Sequence, residues 1–118
     1  MGTFFHPLTL IGPAGAQEAM DALVDTGSLF TVVPRPLLDR LGIRPFGTQQ
    51  VRFANGQEET WEMGQVEAEL LGRRLPILCL FGRPDVSPLL GALALESFVL
   101  TVDPVDKRLV SKGPAFLM

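Results

Sequence analysis

Ala22-Leu23-Val24-Asp25-Thr26-Gly27-Ser28 is the stretch on which the fold of this chain turns. Three apolar residues deliver an acid to a glycine turn. Leu29-Phe30-Thr31-Val32-Val33 then resumes as a second β-rich run. A carboxylate between two apolar strands is costly unless solvent or a neighbouring group makes the charge tolerable. That placement makes Asp25 a candidate functional residue. The tripeptide alone also fits an ordinary turn, since Asp and Gly both favour turns. The flanking sequence has to decide between the two.

On the N-terminal side, Thr3 to Ile11 is β-rich and ends at Gly12-Pro13-Ala14-Gly15. Gln17 to Val24 returns as a second strand, which predicts a hairpin feeding directly into Asp25. On the C-terminal side, Leu29 to Val33 is the expected third strand. Pro34 suits the first turn of a helix, Arg35 to Leu41 can continue it, and Gly42 is placed as its stop.

Further along, Val51-Arg52-Phe53 and Thr60-Trp61-Glu62-Met63 flank Ala54-Asn55-Gly56-Gln57. Asn-Gly between extended segments is a strong hairpin signal. Val66 to Leu71 alternates apolar and acidic residues, as a half-exposed strand does. Gly72-Arg73-Arg74 is expected to turn, and Leu75 to Phe81 to form a buried strand. Gly82 to Pro88 is a loop, and Leu89-Leu90-Gly91 is a second apolar approach to a glycine. Ala92 to Phe98 carries helix formers, with Leu93 and Leu95 or Phe98 on an inner face. Val99 to Val102 and Leu109-Val110 are expected to form a last hairpin. The tail Ala115-Phe116-Leu117-Met118 is apolar, which suggests that it docks. The run into Asp25 and the run into Gly91 echo one another weakly, as two similar halves do.

Composition bounds the function. The chain has 118 residues, 47% hydrophobic, with a net charge of −3. That is one globular domain over residues 1–118, with chain enough for a real core. No basic patch with interleaved aromatics suggests nucleic acid. No apolar run approaches a membrane span, and the N-terminus lacks a secretory pattern, so a cytoplasmic chain is expected. The single Cys79 lies in an apolar run and reads as a core thiol. No zinc spacing or disulfide framework exists. His6 has no nucleophile context.

Leu23-Val24-Asp25-Thr26-Gly27-Ser28 resembles the active-site signature of aspartic proteases. Its context is similar to the retropepsin-like family: an acid after a hairpin, then a hairpin with a Gly tip, then Leu89-Leu90-Gly91 and a short helix. The resemblance runs from about Thr3 to Val110. It implies an all-β, closed or partly open barrel with a flap hairpin and one or two short helices. It implies that Asp25 is the catalytic acid and that Thr26, Gly27 and Ser28 complete the active-site loop. Thr26 would reach the partner subunit's loop, and Ser28 Oγ would bond a carboxylate oxygen. Val51 to Met63 would be the flap, with Phe53, Ala54, Asn55, Gly56, Gln57 and Trp61 facing substrate. Leu90 and Gly91 would support the loop from beneath. Neither a metal nor a cofactor is implied. The flap tip is more polar than in the viral enzymes, and the stretch beyond Val110 matches no part of the pattern.

Hydrolysis through an activated water needs a base and an acid, and two carboxylates sharing one proton supply both. This chain carries one Asp-Thr-Gly. Asp85, Asp103 and Asp106 lack the apolar lead-in and the glycine turn. A two-fold homodimer places the same Asp25 from each chain at the axis. The expected function is therefore a homodimeric aspartic endopeptidase acting on polypeptide. The alternative is a catalytically weak or inactive retropepsin-like domain that binds extended peptides or mediates dimerisation.

Overall fold

The computed structural model describes residues 3–115 and 117. Nine strands and two short helices appear among them, in the order β1 Phe4–Ile11, β2 Gln17–Val24, β3 Thr31–Pro34, α1 Arg35–Arg40, β4 Gly47–Arg52, β5 Glu58–Leu70, β6 Arg73–Gly82, β7 Leu89–Leu90, α2 Ala92–Ser97, β8 Leu100–Asp103 and β9 Arg108–Ser111. Seven strands form one sheet in the order β1-β2-β7-β3-β6-β5-β4. A further β1–β5 pairing, Thr9 opposite Glu69 to Ile11 opposite Glu67, closes β1, β2, β7, β3, β6 and β5 into a ring from which β4 projects. That closure pairs β1, which would otherwise be an edge, and leaves β4 with one unpaired side. The fold is thus mostly β, a ring of strands with two short helices, as the sequence predicts.

The β1–β2 hairpin follows from its sequence: alternation along both strands buries Leu8, Leu10, Ala22 and Val24 while their neighbours face out. β5 alternates more strictly, with Gly64, Val66, Ala68 and Leu70 buried. Along β6 the alternation gives way to four buried residues, Cys79 to Gly82. That is where β6 lies between β3 and β5. Leu38 of α1 and Leu95 of α2 join the same core. Full burial of one such Leu contributes roughly 1.5–3 kcal/mol.

Four local expectations are corrected. Leu29 and Phe30 are not strand: they form a bend, and β3 begins at Thr31. Their carbonyls serve other purposes, described below. The turn between β5 and β6 is Leu71-Gly72, both at positive φ, and Arg73-Arg74 already belongs to β6. Two positive φ angles match the twist of a tight hairpin. Val99, two residues past the end of α2, takes φ 56, so β8 starts one residue later than expected. On α2, Ala94 and Leu95 are buried with Phe98 just beyond it, whereas Leu93 is half-buried. In the tail, Leu117 is exposed, and Phe116 and Met118 lie outside the described residues.

The echo between the two apolar-glycine runs has a structural counterpart. β2 and β7 pair in parallel, Leu23 with Leu89 and Val24 with Leu90. β7 also pairs antiparallel with β3, through Val32 and Leu89. The two runs therefore lie side by side and deliver their glycines to one place.

Candidate active site

Asp25 sits one residue past β2, half-buried. Its position is set by backbone bonds to the β7 run. Leu23 N–H donates to the Pro88 carbonyl at 2.9 Å, and Asp25 N–H to the Leu90 carbonyl at 3.1 Å. Within the loop, Ser28 N–H donates to the Asp25 carbonyl at 3.2 Å. Gly27 N–H donates to Asp25 Oδ1 at 2.9 Å, which fixes the carboxylate against its own loop.

The bend at Ser28 to Phe30 is explained by what its carbonyls accept. Ala92 N–H donates to the Ser28 carbonyl at 2.8 Å, and Leu93 N–H to the Leu29 carbonyl at 3.0 Å. The loop therefore receives the first free N–H groups of α2, which have no partner within the helix. Gly91 lies directly under this crossing. A Cβ there would stand 2.4 Å from the Phe30 carbonyl oxygen and 2.9 Å from that of Ser28. Only a residue without a side chain allows that approach. Gly91 N–H in turn donates to the buried Thr31 Oγ1 at 3.1 Å.

Ser28 Oγ donates to the Phe30 carbonyl at 3.0 Å, not to the carboxylate as its position had suggested. Thr26 is exposed and does not line the cavity under the β4–β5 hairpin; it borders a smaller depression together with Phe4, Val102 and Asp25 itself.

The hairpin expected around Asn55-Gly56 is formed by β4 with the first half of β5, paired from Gly47 opposite Met63 to Arg52 opposite Glu58. Its turn is closed by Phe53 N–H to the Gln57 carbonyl at 2.8 Å and Gln57 N–H to Asn55 Oδ1 at 2.9 Å. Gly56 takes φ 89, which its missing side chain permits. The hairpin extends over a cavity of about 670 Å³. Asp25, Gly27, Ser28, Phe53, Ala54 and Trp61 all line it, so six of the predicted residues meet there. Asn55, Gly56 and Gln57 form the exposed tip outside the lining, and Leu90 and Gly91 lie beneath the loop.

Sequence reasoning missed several contributors. Leu29, Val32, Leu80, Val86 and Leu89 supply apolar wall. Leu80 and Leu89 stood in apolar runs without any sign of which face they would present. Thr31 was counted only as a strand residue. A hydroxyl inside an apolar strand was the available signal, because a buried one needs a partner.

A cavity this size, apolar-walled with one carboxylate at its floor, suits a chain segment laid across it. Among the described residues, no group of three or more His, Cys, Asp or Glu side chains is placed to hold a metal ion. Nor is any helix there long and apolar enough to cross a membrane.

Comparison with known proteins agrees with this geometry. The solution structure of Simian Foamy Virus (mac) protease superposes with a TM-score of 0.55 at 22% identity, covering 79% of this chain and 94% of that one. A foamy viral protease-reverse transcriptase bound to an RNA/DNA hybrid gives 0.57 at 18% identity, covering 86% of this chain and 14% of that one. A retropepsin-like aspartic protease from Rickettsia conorii gives 0.52 at 16% identity, covering 87% and 89%. These likenesses concern the fold. No curated protein matches by sequence. A family model described as aspartyl protease matches residues 11–92, more than half of the chain. With that span matched, and the acid, its glycine loop and the covering hairpin within it, the chain belongs to the aspartyl protease family.

Proposed function

We propose that the protein is an aspartic endopeptidase whose active site forms when two copies bring their Asp25 residues together. The observation that carries this reading is the shared cavity: Asp25 opens into the space that the flap residues Phe53 and Trp61 cover. One carboxylate per chain supplies either an acid or a base, not both, so a second must come from elsewhere. A two-fold axis beside the Asp25 loop supplies it with no further sequence. Thr26, exposed beside Asp25, is available to such a partner.

In that arrangement two like charges at contact do not both ionise, and the pair holds one proton between them. The unprotonated carboxylate takes a proton from a water held between the two. The resulting oxygen attacks the scissile carbonyl, while the protonated partner donates to the carbonyl oxygen. Collapse of the tetrahedral species returns a proton to the leaving nitrogen. The substrate lies as an extended strand under the flap, whose closure excludes water.

The test is incubation of the purified protein with casein at mildly acidic pH, beside an Asp25→Asn variant. Fragments from the wild type and none from the variant are expected. Equal cleavage by both would remove Asp25 from the mechanism. Binding of casein without fragments from either would favour a peptide-binding domain instead.

A further inference from the structure

Trp61 stands between two depressions. On one side is the cavity that holds Asp25. On the other is a shallower groove of about 310 Å³ bordered by Arg35, Phe81 and Arg83. The indole Nε1–H donates to Glu59 Oε1 at 2.8 Å. Two residues apart on β5, the two side chains share a face of the flap's return arm. Arg83 follows β6 in the chain, and its Nη2 donates to both Glu59 oxygens, at 2.9 and 2.7 Å. The same guanidinium lies 5.9 Å from the Trp61 ring centroid. Phe53 approaches that ring at 5.9 Å, tilted by 60°.

The loop that begins with Arg83 continues to Val86 and Ser87, which line the Asp25 cavity. One guanidinium thus ties the flap arm to a second wall of the same cavity. An exposed ion pair adds little to stability, and the Arg83 and Glu59 side chains are 56% and 38% exposed. Its consequence lies in position: an indole anchored at its N–H and flanked by a cation and a second ring has few other orientations.

We propose that Glu59 and Arg83 are positioning residues that latch the flap arm to the loop at 83–88 and hold Trp61 as a fixed wall of the substrate cavity. This rests on the peptidase reading above. The latch touches no reacting atom, so its loss weakens substrate binding and leaves the bond-breaking step alone.

The experiment uses two readouts. Trp61 is the only Trp and the chain has no Tyr, so indole emission reports this one side chain. In Arg83→Gln and Glu59→Gln the emission shifts to the red and acrylamide quenches it more readily. The KM for a peptide substrate rises about three- to tenfold with kcat held within about twofold, the range that an exposed ion pair with a cation–π contact supports. Arg74→Gln, which breaks the separate Arg74–Glu69 pair, moves neither. Unchanged emission and quenching in the single variants would overturn the latch, whether or not the protein cleaves peptides. So would a fall in kcat at constant KM. Absence of cleavage by the wild type would count against the peptidase reading and leave the fluorescence test of the latch intact.

Discussion

Asp25 and Leu90 are joined by a backbone hydrogen bond, the acid's N–H donating to the Leu90 carbonyl across 3.1 Å. Sixty-odd residues of chain separate them, roughly the span over which loop closure costs several kcal/mol. The parallel pairing of Val24 with Leu90 bears that cost and fixes the height of the carboxylate above the sheet. The position of the acid is therefore set as much by the run at Leu89-Leu90-Gly91 as by its own loop.

Gly91→Ala is expected to disturb the site more than its size suggests. The added Cβ meets two carbonyl oxygens of the Asp25 loop at 2.4 and 2.9 Å, and backbone on both sides has to move. A loss of about 1–3 kcal/mol, read as a lower urea midpoint, is the usual cost of such crowding. Proteolysis should fall further than stability does, because the displaced segment carries the acid.

Thr31→Val keeps the volume and removes the acceptor for Gly91 N–H. An unsatisfied buried donor costs about 1–3 kcal/mol. Thr31→Ser keeps the hydroxyl and should retain most of that. Denaturant melts of the two variants compare them directly. Equal loss in both would mean that the methyl group, not the hydrogen bond, matters at this position.

Much of this was legible in the sequence, and the failures have physical causes. β2 came out at its expected bounds because a period-2 pattern between a turn and an acid leaves one register. The β4–β5 turn was legible because Asn55-Gly56 has the conformational freedom that a hairpin needs. Leu29 and Phe30 read as strand because their β propensity is real, but α2 takes the Ser28 and Leu29 carbonyls from far along the chain and the Ser28 hydroxyl takes that of Phe30. Arg73 and Arg74 were placed in a turn because they are charged and follow a glycine; in a strand whose faces alternate, exposed charge is equally at home. The Glu59–Arg83 pair was not legible because nothing local relates a β5 residue to a loop beyond β6.

Cys79 should resist modification in the folded protein. Burial pushes its thiol from an ordinary 9.0 up to about 12, partly offset by a backbone hydrogen bond with Gly64. The thiolate is the reactive form, so a disulfide reagent at neutral pH should label Cys79 only as the protein unfolds. The sign of the pH effect follows. Between 9.0 and about 12 the unfolded chain has released a proton that the folded chain retains, so stability falls as pH rises through that window. Cys79→Ala should flatten the alkaline limb of the stability curve while leaving a cavity.

At the acid end, Asp103 behaves oppositely. The Asp106 N–H, at 3.1 Å, is the largest influence holding its carboxyl below the ordinary 3.8, helped by the Val105 N–H and the Arg108 guanidinium. A depressed carboxyl stabilises the folded state above its unfolded value and loses that contribution as pH falls through the folded one. The β8–β9 turn should therefore loosen below pH 3.8. Hydrogen exchange at Val105 and Asp106 follows it, and Asp103→Ala should remove the pH dependence of that exchange.

The most direct test of the central claim is to mix the two kinds of subunit. Wild-type protein is held at fixed concentration, and Asp25→Asn protein is added until the two are equimolar, with time for exchange. If each active site draws one carboxylate from each chain, random pairing leaves about half of the wild-type chains in competent dimers, and cleavage falls to about half. Cleavage that stays at its starting value as the variant is added would show that a single chain works alone, and the shared-site account would be wrong.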